Sequence, residues 1–582
     1  MPAQHLYSSL ILTASTLSTA ATLPQHLLNR QAGPGPYQWH GGFSEHHGYP
    51  YGKGHGTYPN GWPQDQYYGW SHPDSAAPSI QAAGIQVPAT TPADASSPAD
   101  PDFIGFAFEQ ASFVPYVQNR DGSVNQFSLN LIDVIMSRTG GKPIIRLGGT
   151  SADYALFLLN QTEPALPVAE VDNYQQFPGT TIGPSYWALT QNVPNAVYVV
   201  QLPLAQTNVS ETVLWATTAA EGIGIDRIQA FQPGNEPDLY PVGDLNPPEY
   251  QGQLTNETYT GNFTAYVDAI KAAVDIPSSP FFQAFDTAAH LGDDVLATSY
   301  ILDVETNFNL GINAGNDVKT VASHYYQTNG GEYEDLGPGL MNHSAIAQRL
   351  DLFRKFIDYL AANHPDVPFI ISEVGNSLNP THSYEYQATL GSALWQVDFQ
   401  LYALSIGVRR INWQQIMHSG YDMWLPINSA GISRRVFSNF YAMPFVGDFI
   451  GVGGGTQTVQ LPTGFDNIVA YASYSANGTP LRLAIINLNI WDLEDGLPRP
   501  SETLQLTLPQ GVAEVRVEVL GSPEGAHASA DSITYAGSQW TSASGGEEVE
   551  GVREDGRTVV VGEGGVVEVG VESSSALLVY LR

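Results

Sequence analysis

Eight short apolar runs separated by helical patterns fill the middle of the chain, and this alternation constrains the fold more than any other feature. Between the runs, apolar residues recur at helical spacing after Ser128, the expected N-cap, and over 344–362 and 384–405. Strands that alternate with helices are typical of a closed parallel barrel. We therefore predict an α/β protein with a (β/α)8 TIM barrel over residues 103–446. The runs lie at 103–108, 143–147, 196–202, 227–231, 281–285, 318–324, 369–372 and 410–413.

The pattern changes after residue 446, where short alternating runs follow one another with Gly, Asn and Pro between them and without helical spacing. Such a sequence is typical of an antiparallel β-sandwich, which we predict over 447–582. An apolar run at 80–87 has no place in the barrel. We expect residues 80–102 to add one strand to the sandwich and to link it to the barrel. The C-terminal runs lie at 468–474, 482–487, 502–508, 514–520, 558–561, 566–571 and 576–581.

The N-terminal region is expected to contribute no core. Residues 1–22 are mildly apolar and end in small residues, which we interpret as a secretory signal peptide. Residues 23–79 are rich in Gly, Pro, Tyr and His and are interpreted as a low-complexity extension. Asn-x-Ser/Thr sequons add to the prediction of a secreted, extracellular glycoprotein. These sequons begin at Asn160, Asn208, Asn256, Asn262, Asn342 and Asn477.

Composition excludes several classes of protein. The chain has 57 Asp+Glu against 22 Lys+Arg and a formal net charge of −35, which argues against nucleic acids and anionic membranes as partners. It has no cysteine, so disulfides and thiolate metal sites are excluded. A serine hydrolase is disfavoured because no Gly-x-Ser-x-Gly elbow occurs, and a zinc hydrolase is disfavoured because no His-Glu-x-x-His motif occurs. We expect no metal and no cofactor.

Two glutamates follow the fourth and seventh apolar runs, as Asn235-Glu236-Pro237 and Ser372-Glu373. Because the carboxyl ends of barrel strands meet on one face, we expect both carboxyl groups to lie there together. Paired carboxyl groups are what cleavage of a glycosidic bond needs. We assign Glu236 as general acid/base and Glu373 as nucleophile, with Asn235 placed to bind a sugar 2-hydroxyl. The alternative is that each glutamate only caps a loop, and the pairing on a barrel favours catalysis.

The segments around these glutamates resemble the clan A retaining glycosidases. Further segments resemble glycoside hydrolase family 79, especially its secreted fungal β-glucuronidases, with heparanase as a distant relative. The resemblance extends from about residue 80 to residue 582, and it implies a barrel with a C-terminal sandwich and hydrolysis by double displacement. The segments are Ile145-Arg146-Leu147-Gly148-Gly149-Thr150-Ser151-Ala152-Asp153, Ser323-His324-Tyr325-Tyr326 and Ser372-Glu373-Val374-Gly375-Asn376.

The resemblance also implies positions that contact substrate. Glu109, at the end of the first strand, would hold sugar hydroxyls, and Thr150 after the second strand is a weaker candidate. Tyr325 matches a family tyrosine that donates to the nucleophile. His324 or Tyr326 would take the inward position instead if the alternation of that strand is shifted by one.

Other implied positions lie on or after the second, seventh and eighth strands. Arg146 corresponds to an arginine that supports the nucleophile, or to a structural ion pair. Tyr421 would hold the glucuronate carboxylate. A relative has a second tyrosine where this chain has Leu378, and Tyr384 or Tyr386 would take the role of that tyrosine. Trp413, and with it Trp424, would line the sugar site, with core packing as the alternative.

Together these features predict a secreted, monomeric exo-β-glucuronidase that removes terminal β-linked glucuronic acid from glycans or glycoconjugates, and they leave open whether it accepts the 4-O-methyl form. Two alternatives remain open. One is an endo-acting hydrolase of glucuronan or heparan-like chains, and the other is a non-catalytic carbohydrate-binding or wall protein. We favour exo action because the strand-end loops contain no basic cluster for a polyanion; the nearest approach is Arg409, Arg410, Arg434 and Arg435.

Overall fold

The computed structural model describes residues 84–166, 180–240, 252, 254–288, 302–328, 336–378 and 383–582. The segments interpreted above as signal peptide (1–22) and low-complexity extension (23–79) lie outside the described residues. All six sequon asparagines lie inside them. Among the helices in these ranges, none is long and apolar enough to cross a membrane.

A closed barrel of eight parallel strands forms the centre of the described chain. Each strand pairs with the next one in sequence, and the eighth returns to the first. All eight predicted runs fall on these strands, and the predicted fold class is confirmed. The strands are β1 (Ile104–Glu109), β2 (Ile144–Gly148), β3 (Val197–Leu202), β4 (Ile228–Pro233), β5 (Phe282–Thr287), β6 (Val318–Thr328), β7 (Phe369–Ser377) and β8 (Ile411–Gln415).

Helices surround the barrel. Three of them begin or end at other residues than predicted. Asn125, and not Ser128, caps the first predicted helix, because its side chain accepts the Ser128 N–H. The 3₁₀ turn Asp351–Phe353 divides the second, and the third begins after its cap Thr389. The α-helices are Phe113–Val117, Gln126–Ile132, Val134–Thr139, Thr150–Tyr154, Pro184–Ala188, Val209–Ala219, Asn256–Ala273, Val304–Asn309, Leu336–Gly339, His343–Leu350, Arg354–Asn363, Ser383–Gln387, Leu390–Ser405 and Ala442–Ile450.

Two antiparallel sheets form the C-terminal sandwich. The larger sheet has the order β9-β10-β11-β17-β13-β14, with β15 also paired to β13. In the smaller sheet, β12 lies between β16 and the strand Gly84–Gln86, which pairs in parallel with Gln505 to Thr507. The strands are β9 (Gln457–Leu461), β10 (Ile468–Tyr474), β11 (Pro480–Asn487), β12 (Ser501–Thr507), β13 (Glu514–Gly521), β14 (Thr534–Tyr535), β15 (Arg557–Val560), β16 (Val566–Glu572) and β17 (Ser575–Leu581).

The helix Leu390–Ser405 joins the two parts of the chain and is buried along almost its whole length. Its Asp398 accepts hydrogen bonds from Tyr471 of the sandwich at 2.5 Å and pairs with His343 at 2.9 Å. A buried carboxylate is stable only when its oxygens are bonded, so these partners fix the sandwich against the barrel. The carboxyl ends of the barrel strands are thereby held on a rigid support.

Candidate active site

Glu236 lies three residues past the end of β4, on a backbone in the left-handed region, with φ of 47°. Its N–H donates to the carbonyl oxygen of Asp286 at 2.9 Å, and a short 3₁₀ turn starts at Pro237. The side chain keeps 17% of its surface exposed, more than the other charged groups at this end of the barrel. Glu236 is therefore held by its backbone while its carboxyl group stays accessible to a ligand.

Glu373 lies within β7, and its side chain is only 8% exposed. One carboxylate oxygen accepts from Arg146 Nη1 at 2.6 Å, and the other accepts from the Tyr326 hydroxyl at 2.7 Å. Burial alone raises the pKa of Glu373, but the positive charges of His324 and Arg146 and the hydrogen bond from Tyr326 hold its pKa below the usual value. Glu373 is thus an ionised carboxylate with a fixed orientation.

Arg146 on β2 is fully buried and connects the strand ends on both sides of it. Besides Glu373, its guanidinium donates to Gln232 at 2.9 Å, to Gln201 at 3.0 Å and to Asn235 at 2.5 Å. A buried guanidinium needs such a set of acceptors to offset the loss of water. Both roles predicted for Arg146 are thus present in its contacts, because it pairs with Glu373 and also forms a structural network.

His324 lies between the two glutamates. Its Nδ1 is 2.9 Å from Glu236 Oε1 and 3.9 Å from Glu373 Oε2, and its Nε2 is 3.7 Å from Asp286 Oδ1. Burial alone lowers the pKa of the imidazole, but the negative charge of Glu373 and the contacts with Asp286 and Glu236 raise it to about 10. The imidazolium form therefore persists at neutral pH and links both carboxyl groups.

Atoms of Glu236, His324 and Glu373 lie within 4.8 Å of one another, as metal ligands would. Among the described residues no other group of His, Asp and Glu does so. One Glu373 oxygen of this group already accepts a hydrogen bond from Arg146 at 2.6 Å, and the other accepts from Tyr326 at 2.7 Å.

Glu109 ends β1 and is buried beside the same pair. Its carboxyl group accepts the Ser151 N–H at 2.8 Å. Burial, with a smaller contribution from the negative charge of Glu373, raises the pKa of Glu109 to about 8. Gly149 makes this position possible, since a Cβ there would lie 1.6 Å from Glu109 Oε2. At neutral pH Glu109 is mostly a neutral acid, which can donate a hydrogen bond as well as accept one.

The structure places Tyr326, and not Tyr325, against the nucleophile position. The alternation of β6 is regular here: Thr320, which contacts Gln283, and then His324 and Tyr326 face the barrel interior, and the irregular pairing beside Ser323 comes from one extra residue in β7. Tyr325 points outward, where its hydroxyl donates to Gln327 and its ring packs on Phe353 and Phe399. The prediction for Tyr325 is therefore wrong, and the alternative named for the shifted alternation applies.

Trp413 does not line the site either. Its ring lies 5.8 Å from both Trp395 and Phe399, in the layer between β8 and the helix Leu390–Ser405. Trp424 is also in the core, where its indole N–H donates to Ser128 at 2.9 Å. Trp413 lies on the outer face because side chains alternate along β8. The core-packing alternative therefore holds for Trp413, and the hydrogen bond to Ser128 shows that it holds for Trp424 as well.

Tyr421 lies at the inner end of the loop after β8, with its ring 5.6 Å from that of Tyr326. Burial and the negative charge of Glu373 raise the pKa of its hydroxyl. Tyr384 instead donates to Asp422 at 3.1 Å and stacks on Phe437, so it supports the loop. Thr150 is half-buried at the first position of the helix Thr150–Tyr154.

The comparisons with known proteins agree with this geometry. Residues 470–578 match the sequence profile of the glycosyl hydrolase family 79 C-terminal beta domain. The chain is 26% identical to a β-glucuronidase of Aspergillus niger over 549 residues, which covers 88% of this chain and 96% of the relative. It is 27% identical to a β-glucuronidase of Neurospora crassa over 470 residues, or 74% and 81% of the two chains. The chain therefore resembles glycoside hydrolase family 79, in its C-terminal domain by the profile and over most of its length by these two relatives, and it is a glycoside hydrolase.

Solved structures support the fold of this glycoside hydrolase. The crystal structure of a 4-O-α-L-rhamnosyl-β-D-glucuronidase from Fusarium oxysporum superposes with a TM-score of 0.70 at 20% identity, covering 86% of this chain and all of the other. An α-L-arabinofuranosidase from Thermotoga maritima gives 0.55 at 12% identity, with 86% and 99% coverage. At these identities the likeness concerns the arrangement of barrel and sandwich.

Three buried residues of this glycoside hydrolase were not predicted as site residues. His324 was named only as an alternative to Tyr325, and Asp286 was not considered. Gln414 on β8 shares the inner face with Asn412 and lies opposite Ala107 of β1. Both amide atoms of Gln414 are buried without a hydrogen-bond partner in the described part of the chain. Strand alternation in the sequence would have found Gln414, whereas Asp286 required the three-dimensional structure.

Proposed function

We propose that this glycoside hydrolase is a member of family 79 and a β-glucuronidase that removes terminal β-linked glucuronic acid with retention of configuration. The substrate rests on the two fungal relatives, both described as β-glucuronidases. The mechanism rests on the site, where one carboxyl group is ionised and fixed and a second is accessible beside it. Glu373 is the nucleophile in this proposal, and Glu236 is the general acid/base.

The short distance between the two carboxyl groups is the observation that carries this mechanism. A Glu236 oxygen lies within 4.8 Å of a Glu373 oxygen. Retaining glycosidases place their carboxyl groups about 5–5.5 Å apart, whereas inverting enzymes leave about 6.5–9.5 Å for a water molecule. The spacing found here favours direct attack by a carboxylate on the sugar.

In the first step Glu373 attacks the anomeric carbon, and a glycosyl–enzyme ester forms as the glycosidic bond breaks. Glu236 gives its proton to the leaving oxygen, which departs as an alcohol. Arg146 and Tyr326 hold the Glu373 carboxylate through its two oxygens, so one orientation is available for attack. Because these donors are already in place, little reorganisation accompanies the reaction.

In the second step water hydrolyses the ester. Glu236, now a carboxylate, takes a proton from the water as the water oxygen bonds to the anomeric carbon and Glu373 leaves. Two displacements at the same carbon give a β-configured product. His324 stays within hydrogen-bonding distance of Glu236 and offsets its negative charge in this step.

Groups around the pair suit a polar sugar. The Asn235 amide oxygen is bonded to Arg146, which leaves its NH₂ group for the 2-hydroxyl. Glu109, as a neutral acid, and Gln414, with an unbonded amide, are available to other hydroxyls. We assign Tyr421 to the glucuronate carboxylate, since a hydroxyl donor holds an anion without adding net positive charge. Thr150 remains a weaker candidate.

Exo action on substrates without sulfate is supported by the distribution of positive charge. Arg409 pairs with Asp100 at 2.7 Å, and Arg435 pairs with Asp531 at 3.0 Å. Arg410 is buried inside the barrel, where it donates to Gln283 at 3.1 Å. These arginines are therefore engaged elsewhere, and a sulfated polymer needs many cationic partners.

We also propose that the protein is secreted, monomeric and glycosylated. The sequons at Asn160, Asn208 and Asn477 are exposed, and those at Asn256, Asn262 and Asn342 are half-buried. Mass spectrometry of protein from a fungal culture medium, before and after removal of N-glycans, tests secretion and glycosylation. Light scattering of the same sample tests whether the protein is a monomer.

The function is tested by kcat/KM on 4-nitrophenyl β-glucuronide, β-glucoside, β-galactoside and β-xyloside, with heparan sulfate and a 4-O-methylglucuronide alongside. We expect a preference for glucuronide of at least about 10²-fold, because glucoside leaves buried donors unpaired. Comparable rates on glucoside, or efficient internal cleavage of heparan sulfate, contradict the substrate proposal. First appearance of the α-anomer by proton NMR contradicts retention.

A further inference from the structure

Asp286, at the end of β5, is a buried aspartate for which the mechanism above has no role. Its side chain is 1% exposed. Its backbone and that of Phe285 lie in the left-handed region, with φ of 47° and 78°. Residues other than glycine seldom adopt two such values in succession. A hydrogen bond from the Phe285 N–H to the Tyr259 hydroxyl at 2.6 Å maintains this conformation.

The unusual backbone brings Asp286 to Glu236 from two directions. Its carbonyl oxygen accepts the Glu236 N–H at 2.9 Å. Its carboxylate faces the far side of the His324 ring, with Oδ1 at 3.7 Å from Nε2, while Nδ1 of the same ring contacts Glu236 Oε1 at 2.9 Å. Asp286 therefore reaches Glu236 both through the main chain and through an imidazole.

The surrounding bonds fix the carboxylate but leave it available to His324. Oδ1 accepts from Gln283 at 2.7 Å and from Ser372, the neighbour of Glu373, at 2.6 Å. Oδ2 and His324 Nε2 are buried without a hydrogen-bond partner in the described part of the chain. The unpartnered Nε2 lies 3.7 Å from Oδ1 of this carboxylate, so a small approach of the ring to Asp286 on substrate binding closes a hydrogen bond between them.

We propose that Asp286 is a positioning residue for the acid/base glutamate, acting through the His324 ring and through its own main-chain carbonyl. This inference rests on the proposed function of Glu236 and extends it to a group that does not touch substrate. Asp286 holds the ring in the orientation that points Nδ1–H at Glu236 and stabilises the positive charge on that ring.

No other described charged group takes this position. Glu236 and Glu373 face His324 at Nδ1, and Arg146 and Tyr326 are bonded to Glu373. Glu109 approaches the pair from β1 and is mostly neutral below its pKa of about 8. Of these groups only Asp286 lies at Nε2. Without it, the ring can turn by half and present carbon to Glu236, which weakens acid catalysis and leaves the nucleophile in place.

The test is the dependence of rate on the leaving group, because acid catalysis matters most for poor leaving groups. For Asp286→Asn we expect kcat/KM on a methyl or methoxyphenyl β-glucuronide to fall on the order of 10–100-fold, and on 2,4-dinitrophenyl β-glucuronide by less than about threefold.

Asp153→Asn is the matched control. Asp153 is equally buried and also holds the Glu236 loop, accepting the Asn235 N–H at 3.2 Å, but it has no contact with His324. A purely structural role predicts the same loss for every leaving group, as we expect for Asp153→Asn. A uniform loss in Asp286→Asn, or no loss, overturns the proposal.

A second variant covers the case in which Asp286→Asn does not fold. His324→Gln keeps a donor near Glu236 but cannot carry the charge that Asp286 stabilises, and we expect the same dependence on the leaving group. A wild-type dependence in His324→Gln overturns the proposal. If the proposed function itself fails, the wild-type enzyme is inactive on all aryl glucuronides, and the series is run with the β-glycoside that it does cleave.

Discussion

The interiors of the barrel and the sandwich use the same strand alternation but are stabilised differently. Facing the sandwich interior are aliphatic residues such as Ile485, Leu506 and Val569. The catalytic end of the barrel interior contains Arg146 and His324 with a surrounding set of amides and carboxylates. Burial of apolar surface stabilises the first interior, whereas the second is stable only while its charges are paired. The comparison predicts that substitutions in the two interiors separate activity from stability.

Position along the barrel axis explains the difference. At the opposite end of the barrel Ile144, Val199 and Ala230 form a small apolar layer. The side chains around Arg146, among them Gln201 and Gln232, lie one layer higher, at the carboxyl ends of the strands, where catalysis takes place in barrels of this kind. The sandwich has no such end in its core, so its interior is uniformly apolar.

The largest effect is expected at Glu373. Glu373→Gln keeps the shape of the side chain and an acceptor for Arg146 but removes the nucleophilic carboxylate, so kcat should fall by at least about 10⁴-fold. The free energy of unfolding should fall as well, because buried Arg146 and His324 lose their anionic partner. Enzyme assays and urea titration measure the two quantities, and a variant that loses stability instead of activity contradicts the comparison.

The same comparison can be reversed in the sandwich. Ile485 on β11 is fully buried in the aliphatic core. Ile485→Ala should lower the free energy of unfolding by about 2–5 kcal/mol through lost burial and a cavity. The folded enzyme should keep its kcat, because β11 contributes nothing to the site. A large loss of kcat at 25 °C with intact fold would show that the sandwich does more than support the barrel.

A third effect concerns pH. The pKa of Glu109 is raised from 4.5 to about 8, so the native state holds a proton that the unfolded state releases. As the pH rises from 4.5 to 8, the free energy of unfolding therefore falls, by up to about 1.4 kcal/mol per pH unit. Glu109→Gln removes this contribution, and its stability should decline less steeply than that of the wild type.

The pH window separates Glu109 from its neighbour. The pKa of His324 is raised from 6.5 to about 10, so its contribution is fully present below pH 6.5 and is lost as the pH rises toward 10. Urea titrations from pH 5 to 6.5 thus avoid the contribution of His324. Because burial also raises the pKa of Asp153 to about 6 and that of Asp422 to about 7, the difference in slope between Glu109→Gln and the wild type is the quantity that reports on Glu109. Ile485→Ala should shift the curve in parallel, and an equal slope in Glu109→Gln contradicts the assignment.

Features of the fold that depend on local pattern could be read from the sequence. The barrel strands were predictable because each is a short apolar run between helical segments, and β10, for example, falls on its predicted run at 468–474. Strand β9 was missed, because its Gln and Thr residues give a weak apolar pattern. The meeting of Glu236 and Glu373 followed from their positions just past, or late in, parallel strands.

Features that depend on strand parity or on distant contacts could not be read in this way. Strand β6 is apolar or aromatic on both faces, so the sequence did not show that the face of Thr320, His324 and Tyr326 points inward and that Tyr325 points outward. Trp413 was misplaced because aromatic character suggested a sugar platform while alternation put it outside. The contacts of Asp286 join residues from three strands, and no sequence spacing indicates them.

The smallest expected effect compares the two adjacent tyrosines of β6. Tyr326→Phe removes a hydrogen bond to an ionised carboxylate, which should lower kcat about tenfold, since such bonds contribute about 1.5–3 kcal/mol and Arg146 still holds Glu373. Tyr325→Phe removes only a bond to Gln327 in the outer layer, so kcat should stay within about twofold and the free energy of unfolding should fall by about 0.5–1.5 kcal/mol. Kinetics and urea titration of both variants, prepared in parallel, decide which of the two tyrosines faces the barrel interior. The opposite result, with activity lost in Tyr325→Phe and kept in Tyr326→Phe, would restore the unshifted alternation and remove Tyr326 from the support of the nucleophile.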